Sequence, residues 1–177
     1  MDYEVRKATL DDREAITELI AESARRLSRE HYADTQIEAA IESVFGVDSS
    51  LIEDETYFVA EQNGTLIGCG GWSSRKTLFG GDQFSTRNTA RIDPATEPAK
   101  IRAFFVHPDH ARKGVARALL SKCEREAREH GFGALELLST LPGVEFYLAN
   151  GYSPNGDFDL ELTGGVKLRF VPMRKQL

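Results

Sequence analysis

The stretch Ile101–Gly131, IRAFFVHPDHARKGVARALLSKCEREAREHG, constrains the fold more than any other part of the chain. Ile101, Ala103 and Phe105 alternate with Arg102, Phe104 and Val106, so apolar groups fall on both faces and the spacing predicts a central, covered strand. Pro108 has no N–H to give to a ladder and should end the pairing. Beyond it, Val115, Leu119, Cys123 and Ala127 recur every four residues beside Ala116 and Leu120, while Arg117, Lys122, Glu124, Arg125, Arg128 and Glu129 take the remaining surface. Glu124 precedes Arg128 in the favoured ion-pair order, and Gly131 stands where a left-handed cap closes a helix. The helix is therefore predicted to begin near Gly114.

A helix start leaves several N–H groups without intrahelical partners and adds a partial positive charge, which together suit a phosphate. Arg112, Lys113 and Arg117 bring three cations to the same turn, and Gly114 lets an oxygen approach the backbone. The dipole supplies only about 0.3–2 kcal/mol, so side chains and direct N–H contacts must provide most of the grip. By spacing alone, the same Gly and Arg residues also suit a turn with a purely structural role.

Val106-His107-Pro108, followed by Ala111-Arg112-Lys113-Gly114-Val115-Ala116, resembles the first motif of the GNAT superfamily of acyl-CoA-dependent N-acyltransferases. That motif is a strand, Val-x-Pro, the turn Gln/Arg-x-x-Gly-x-Gly/Ala, and a helix. Ala111 stands where the family often has Gln or Arg, which shifts the implied grip towards backbone N–H groups. About thirty residues later, Phe146-Tyr147-Leu148-Ala149-Asn150-Gly151-Tyr152 resembles the family's second block, Phe/Tyr-Tyr-x-x-x-Gly-Phe/Tyr. Pro142 replaces an Asn that often touches the cofactor.

The resemblance implies a single α/β (α+β) domain over residues 1–177, with a mixed, mainly antiparallel twisted sheet covered by helices on both faces. It implies acetyl-CoA as donor, with the backbone of Phe104, Phe105 and Val106 holding the pantetheine arm. Arg112, Lys113, Gly114, Val115, Ala116 and Arg117 would hold the pyrophosphate. Tyr147 falls where family members carry a general acid, or else packs against the cofactor without moving a proton. The implied acceptor is a primary amine of a small molecule or a protein.

In the rest of the chain, Tyr3–Ala8 reads as a strand, and Thr9 or Asp11 can cap a helix carrying Ile16, Leu19, Ile20, Ala24 and Leu27. A second helix is predicted over Asp34–Phe45. His31 and Tyr32 lie between the two, in a connection that usually borders the acceptor cleft in the family and otherwise is an exposed loop. Asn63-Gly64 between β-rich runs predicts a hairpin, whose second run ends in Gly68-Cys69-Gly70-Gly71-Trp72. Residues 73–100 are polar and Gly-rich, the least matched part of the chain, and read as a variable insertion. Ala134–Leu138 reads as a strand, Pro142–Asn150 as a short helix, and Asp157–Leu162 with Val166–Val171 as a closing hairpin.

The formal charge of −6 argues against a sequence-independent nucleic-acid grip, which needs a broad basic surface. Two cysteines without paired spacing suggest neither a disulfide framework nor zinc. The charged start MDYEVRKATLDD and the lack of any membrane-length apolar run lead us to expect a cytoplasmic protein with no membrane partner. Exposed strand edges and the insertion leave room for a homodimer.

Acyl transfer to an alkyl amine of pKa about 10.4 meets a further cost, since only about one molecule in a thousand is neutral at pH 7, a penalty of about 4–5 kcal/mol. A base, a water chain or desolvation has to offset it. Asp82, Glu136, Glu145, His31 and His107 are candidates, and spacing does not rank them. No cysteine falls near the expected centre, which favours direct transfer over an acyl-enzyme. Two other readings compete: a non-catalytic acyl-CoA-binding module on the same fold, and a nucleotide-binding domain, the latter disfavoured because Gly114 is alone in its turn.

Overall fold

The first strand, β1 (Glu4–Lys7), leads into a turn where the Thr9 N–H and hydroxyl both donate to Asp12, at 2.7 and 3.1 Å. Asp12 rather than Asp11 thus completes the cap. In the computed structural model, which describes residues 2–177, helix α1 (Arg13–Leu27) follows, then α2 (Asp34–Ser43) and α3 (Ser49–Glu53). Strands β2 (Tyr57–Gln62) and β3 (Thr65–Ser73) form the expected hairpin, with Asn63 and Gly64 both at positive φ as a tight two-residue turn requires. After the long excursion of residues 74–98 come β4 (Ala99–Val106), α4 (Val115–Glu129), β5 (Ala134–Thr140), α5 (Val144–Ala149), β6 (Ser153–Pro154), β7 (Phe158–Glu161) and β8 (Lys167–Gln176).

The strands form one sheet in the order β1-β2-β3-β4-β5-β8, with β6 and β7 both on the far side of β8. Only β4 and β5 run parallel, so the sheet is mixed and mainly antiparallel, as the resemblance implied. Pro172 sits inside the central strand β8, opposite Leu138. Its carbonyl accepts from Asn155 N–H at 2.7 Å, so its missing donor faces the same side, the gap where β7 has ended and β6 has begun. No ladder bond is lost there.

The two faces carry separate cores. Ile16, Leu19, Ile20, Ile37 and Leu51 from the first three helices cover one, and Leu119, Leu120, Cys123 and Tyr147 from α4 and α5 cover the other. Strand β4 serves both, but in a different phase from the one its sequence predicts. Arg102 pairs with Gly71 and Phe105 with Cys69, leaving Ala103 and Phe104 opposite Gly70 alone. This is a β-bulge, with Ala103 at φ 52°. Ile101, Phe104 and Val106 consequently share the α4 face, whereas Arg102, Ala103 and Phe105 turn towards α1 to α3. The simple alternation Ile101-Ala103-Phe105 is corrected here, because one extra residue reverses the faces of everything after it.

The bulge is held by groups distant in sequence. The turned-out Ala103 carbonyl accepts from the Tyr57 hydroxyl at 3.2 Å and faces the Cys69 thiol at 3.7 Å. Gly70 leaves the room for it, since a Cβ there would lie 2.6 Å from the Phe104 ring. Trp72 packs against Phe132 and His130 and takes no part in the cavity described below.

Candidate active site

Beyond the bulge β4 has no partner on one side. Its parallel pairing with β5 is confined to Ala99–Leu135 and Lys100–Glu136, after which the two strands part. The N–H and C=O groups of one β4 edge, through Phe104 to Val106, therefore border a cavity of about 710 Å³ that runs between the strands. Pro108 ends the strand as predicted, and a short helical turn over Pro108–His110 leads to α4.

The turn before α4 has two left-handed residues, Arg112 at φ 63° and Gly114 at φ 86°. Gly114 caps the helix, whose first bond runs from the Ala118 N–H to the Gly114 carbonyl at 3.0 Å. The N–H groups of the first turn are thus left for an outside acceptor. A Cβ on Gly114 would meet nothing within 4 Å, so the space above the turn is open. Arg112, Gly114, Val115, Ala116 and Arg117 line the cavity, while Lys113 lies outside its wall. The Val115 side chain is buried towards Gly68 and contributes only its backbone.

Tyr147 on α5 faces the same gap. Its ring is 6.5 Å from Phe104, 5.1 Å from Phe146 and 5.5 Å from Tyr152. Burial holds its phenol well above the ordinary value, so it carries a proton throughout the neutral range. Pro142, in the position of the family's Asn, belongs to the turn at the end of β5 and offers no donor.

The five candidate bases separate. Asp82 accepts from the Ser49 N–H and hydroxyl at 2.9 and 2.6 Å and meets Arg13 and Arg87, outside the cavity. Glu136 is paired with Lys100, and His107 faces Glu22 at 3.3 Å. Only His31 and Glu145 line the cavity. Both cysteines are buried, and burial pushes the Cys69 thiol up to about 12, which makes a thiolate nucleophile unavailable there. No group of three or more His, Cys, Asp or Glu side chains is arranged to hold a metal among the described residues, and no helix among them is long and apolar enough to cross a membrane.

Tyr32, grouped with His31 as a substrate contact in the sequence, has a structural task instead. Its buried hydroxyl donates to the Arg169 carbonyl at 2.5 Å and accepts from the Leu141 N–H at 2.9 Å, joining the α1–α2 connection to β8 and to the end of β5. Burial raises its own pKa to about 12. Tyr32→Phe strands both backbone partners and should cost about 1–3 kcal/mol in urea unfolding. A loss within about 0.5 kcal/mol, the range of neutral surface changes, would mean that water replaces the hydroxyl.

Spacing alone missed Arg102. This guanidinium, 3% exposed, pairs with Asp48 at 3.0 Å and donates to the carbonyls of Gly80 at 2.8 Å and Thr77 at 3.3 Å. Asp48, 1% exposed, also pairs with Arg87 at 2.6 Å. A charge inside an apolar strand was the available signal, because such a group has to find a partner. Asp48-Ser49-Ser50 before Leu51-Ile52 was the signal for α3, and Asp48 does accept from the Ser50 N–H at 3.1 Å.

Several solved structures share this arrangement of elements. A GCN5-related N-acetyltransferase from Rhodopseudomonas palustris aligns with a TM-score of 0.74 at 19% identity, covering 100% of this chain and 97% of the other. The PaiA N-acetyltransferase from Thermoplasma acidophilum, in complex with coenzyme A, aligns at 0.68 and 18% identity and covers 100% of both chains. For yncA from Salmonella typhimurium, with its cofactor acetyl-CoA, the values are 0.64 and 19%, with coverage of 100% and 95%. At these identities the likeness concerns the fold. No curated protein matches the chain. The sequence model of the acetyltransferase (GNAT) family matches residues 13–152, a span that holds both motif blocks and strands β2 to β5, and the chain belongs to that family.

Proposed function

We propose that this chain transfers an acetyl group from acetyl-CoA to a primary amine, directly and within a ternary complex. The observation that carries this reading is the meeting, in one cavity, of an unpaired β4 edge, an open helix start and the buried phenol of Tyr147. The residues fit the donor: Arg112, Arg117 and the N–H groups around Gly114 suit a pyrophosphate, and the β4 edge at Phe104 to Val106 suits an amide-bearing arm laid alongside it as an extra strand. Lys113 adds long-range charge from outside the wall.

When bound, acetyl-CoA supplies a thioester carbonyl for the amine to attack. The β4 backbone N–H groups orient and polarise that carbonyl. As the C–N bond forms and the C–S bond breaks, Tyr147 holds the proton that the departing sulfur takes, and its apolar surroundings raise the proton affinity of a thiolate released beside it. Of the candidate bases, His31 and Glu145 line the cavity and are available to receive the proton from the amine, directly or through water.

Tyr147→Phe tests this reading. The expected result is a fall of about 100-fold in kcat, the range of general acid catalysis, with coenzyme A affinity within about twofold of wild type. Unchanged turnover would remove the acid role. That Asp82, Glu136 and His107 are engaged elsewhere also keeps a non-catalytic acyl-CoA-binding module in view. Calorimetric binding of acetyl-CoA with no thiol release on any amine would favour that module.

A further inference from the structure

The cavity extends to the α1–α2 side of β4, where four phenylalanine rings, two of them (Phe45 and Phe170) largely buried, join Ala24, Leu27, Val44 and Leu78 in the wall. Phe45 follows α2, Phe105 is turned to this side by the bulge, and Phe170 comes from β8. Phe45 contacts the other two edge-on, with centroids at 5.5 and 6.5 Å. Phe79 closes the wall from the 74–98 excursion and is itself packed on Phe84 at 5.2 Å and Phe158 at 5.7 Å.

Phe79 is fixed in place although it belongs to an irregular segment. The carbonyl of its neighbour Gly80 accepts from buried Arg102, the Gly81 N–H donates to the Val44 carbonyl at 2.9 Å, and the Gln83 side chain donates to the Phe45 carbonyl at 3.0 Å. The excursion is thus a built part of the cavity wall.

Charge in the cavity points the same way. Glu30 and Glu145 are its only carboxylates among the described residues, against Arg112, Arg117 and Arg102, the last already paired with Asp48. The wall offers no run of carboxylates to pair the several cations of a polyamine or a basic peptide. An apolar wall also removes water from the amine and so favours its neutral, nucleophilic form.

We propose that the acceptor is an arylalkylamine, a primary amine on a short chain ending in an aromatic ring, with the ring seated among Phe45, Phe79, Phe105 and Phe170. This rests on the acetyl-transfer reading above. In a thiol-release assay with acetyl-CoA, kcat/KM for 2-phenylethylamine or tryptamine should exceed that for n-butylamine, spermidine and a lysine-containing peptide by about tenfold or more, the scale on which hydrophobic pockets discriminate. Phe79→Ala should lower the ratio of phenylethylamine to butylamine kcat/KM several-fold while leaving the coenzyme A Kd unchanged. Higher kcat/KM for spermidine or the peptide overturns the aromatic acceptor but keeps acetyl transfer. Absence of turnover on every amine, with coenzyme A still bound, overturns both. The comparison of amines uses the unaltered protein and stands even where the variant fails to fold.

Discussion

Gly114→Glu should lower coenzyme A affinity by about 1,000-fold in calorimetry, in a protein that still folds. Loss of two charge-assisted hydrogen bonds, each worth about 1.5–3 kcal/mol, corresponds to about two to four decades in Kd. The backbone at Gly114, φ 86°, is left-handed, so any side chain adds about 1–2 kcal/mol of strain, although its β-carbon enters open space. A carboxylate at a helix start is favourable to the helix itself, and it competes for the same N–H groups that a pyrophosphate would use. Gly114→Ala carries the strain without the charge and should weaken binding by no more than about tenfold, the equivalent of about 1.4 kcal/mol. Wild-type affinity in a folded Glu variant would remove the anion site from this turn.

Asp48→Ala should cost about 3–5 kcal/mol in urea unfolding, the range for leaving one member of a buried ion pair alone. Arg102 would keep its two carbonyl acceptors and lose its counter-charge, Arg87 would lose its 2.6 Å partner, and α3 would lose its cap. A loss below about 1 kcal/mol, ordinary for a point change, would show that the pair is not a structural keystone.

The pH dependence follows from the direction of the Asp48 shift. Burial pushes its pKa up, but Arg102, the Ser50 hydroxyl and Arg87 together outweigh burial and hold it below the ordinary 3.8. A carboxylate with a lowered folded pKa stabilises fully above its unfolded value and loses that contribution as pH falls through the folded one. The stability gap between wild type and Asp48→Ala should therefore be flat from about pH 6 to 8 and narrow only in acid below about pH 4. Because Arg102 also holds the segment bearing Phe79, the variant should raise KM for the acceptor more than it weakens coenzyme A binding.

Much of the fold around the β4–α4 turn was legible in the sequence. Pro108 ends β4, Gly114 starts α4 in a left-handed cap, Asn63-Gly64 turns the first hairpin, and α4 buries Val115, Leu119, Cys123 and Ala127 at four-residue spacing. These are properties of neighbouring residues: a missing N–H, an allowed positive φ, a four-residue apolar repeat. Each acts over one or two turns of chain, which is why spacing and residue type are sufficient to read them.

The aromatic side of the cavity was decided elsewhere. The bulge that brings Phe105 to the aromatic wall depends on Tyr57 and Cys69 meeting the Ala103 carbonyl, and the place of the 74–98 segment depends on Asp48 meeting Arg102. The engagement of Asp82, Glu136 and His107 outside the cavity depends likewise on Ser49, Lys100 and Glu22. By itself the sequence determined where the strand stops and where the helix starts, since local backbone geometry decides both. Only the tertiary structure decided which face of β4 each side chain takes and which charges remain free, because a bulge and a buried ion pair are set by partners tens of residues away.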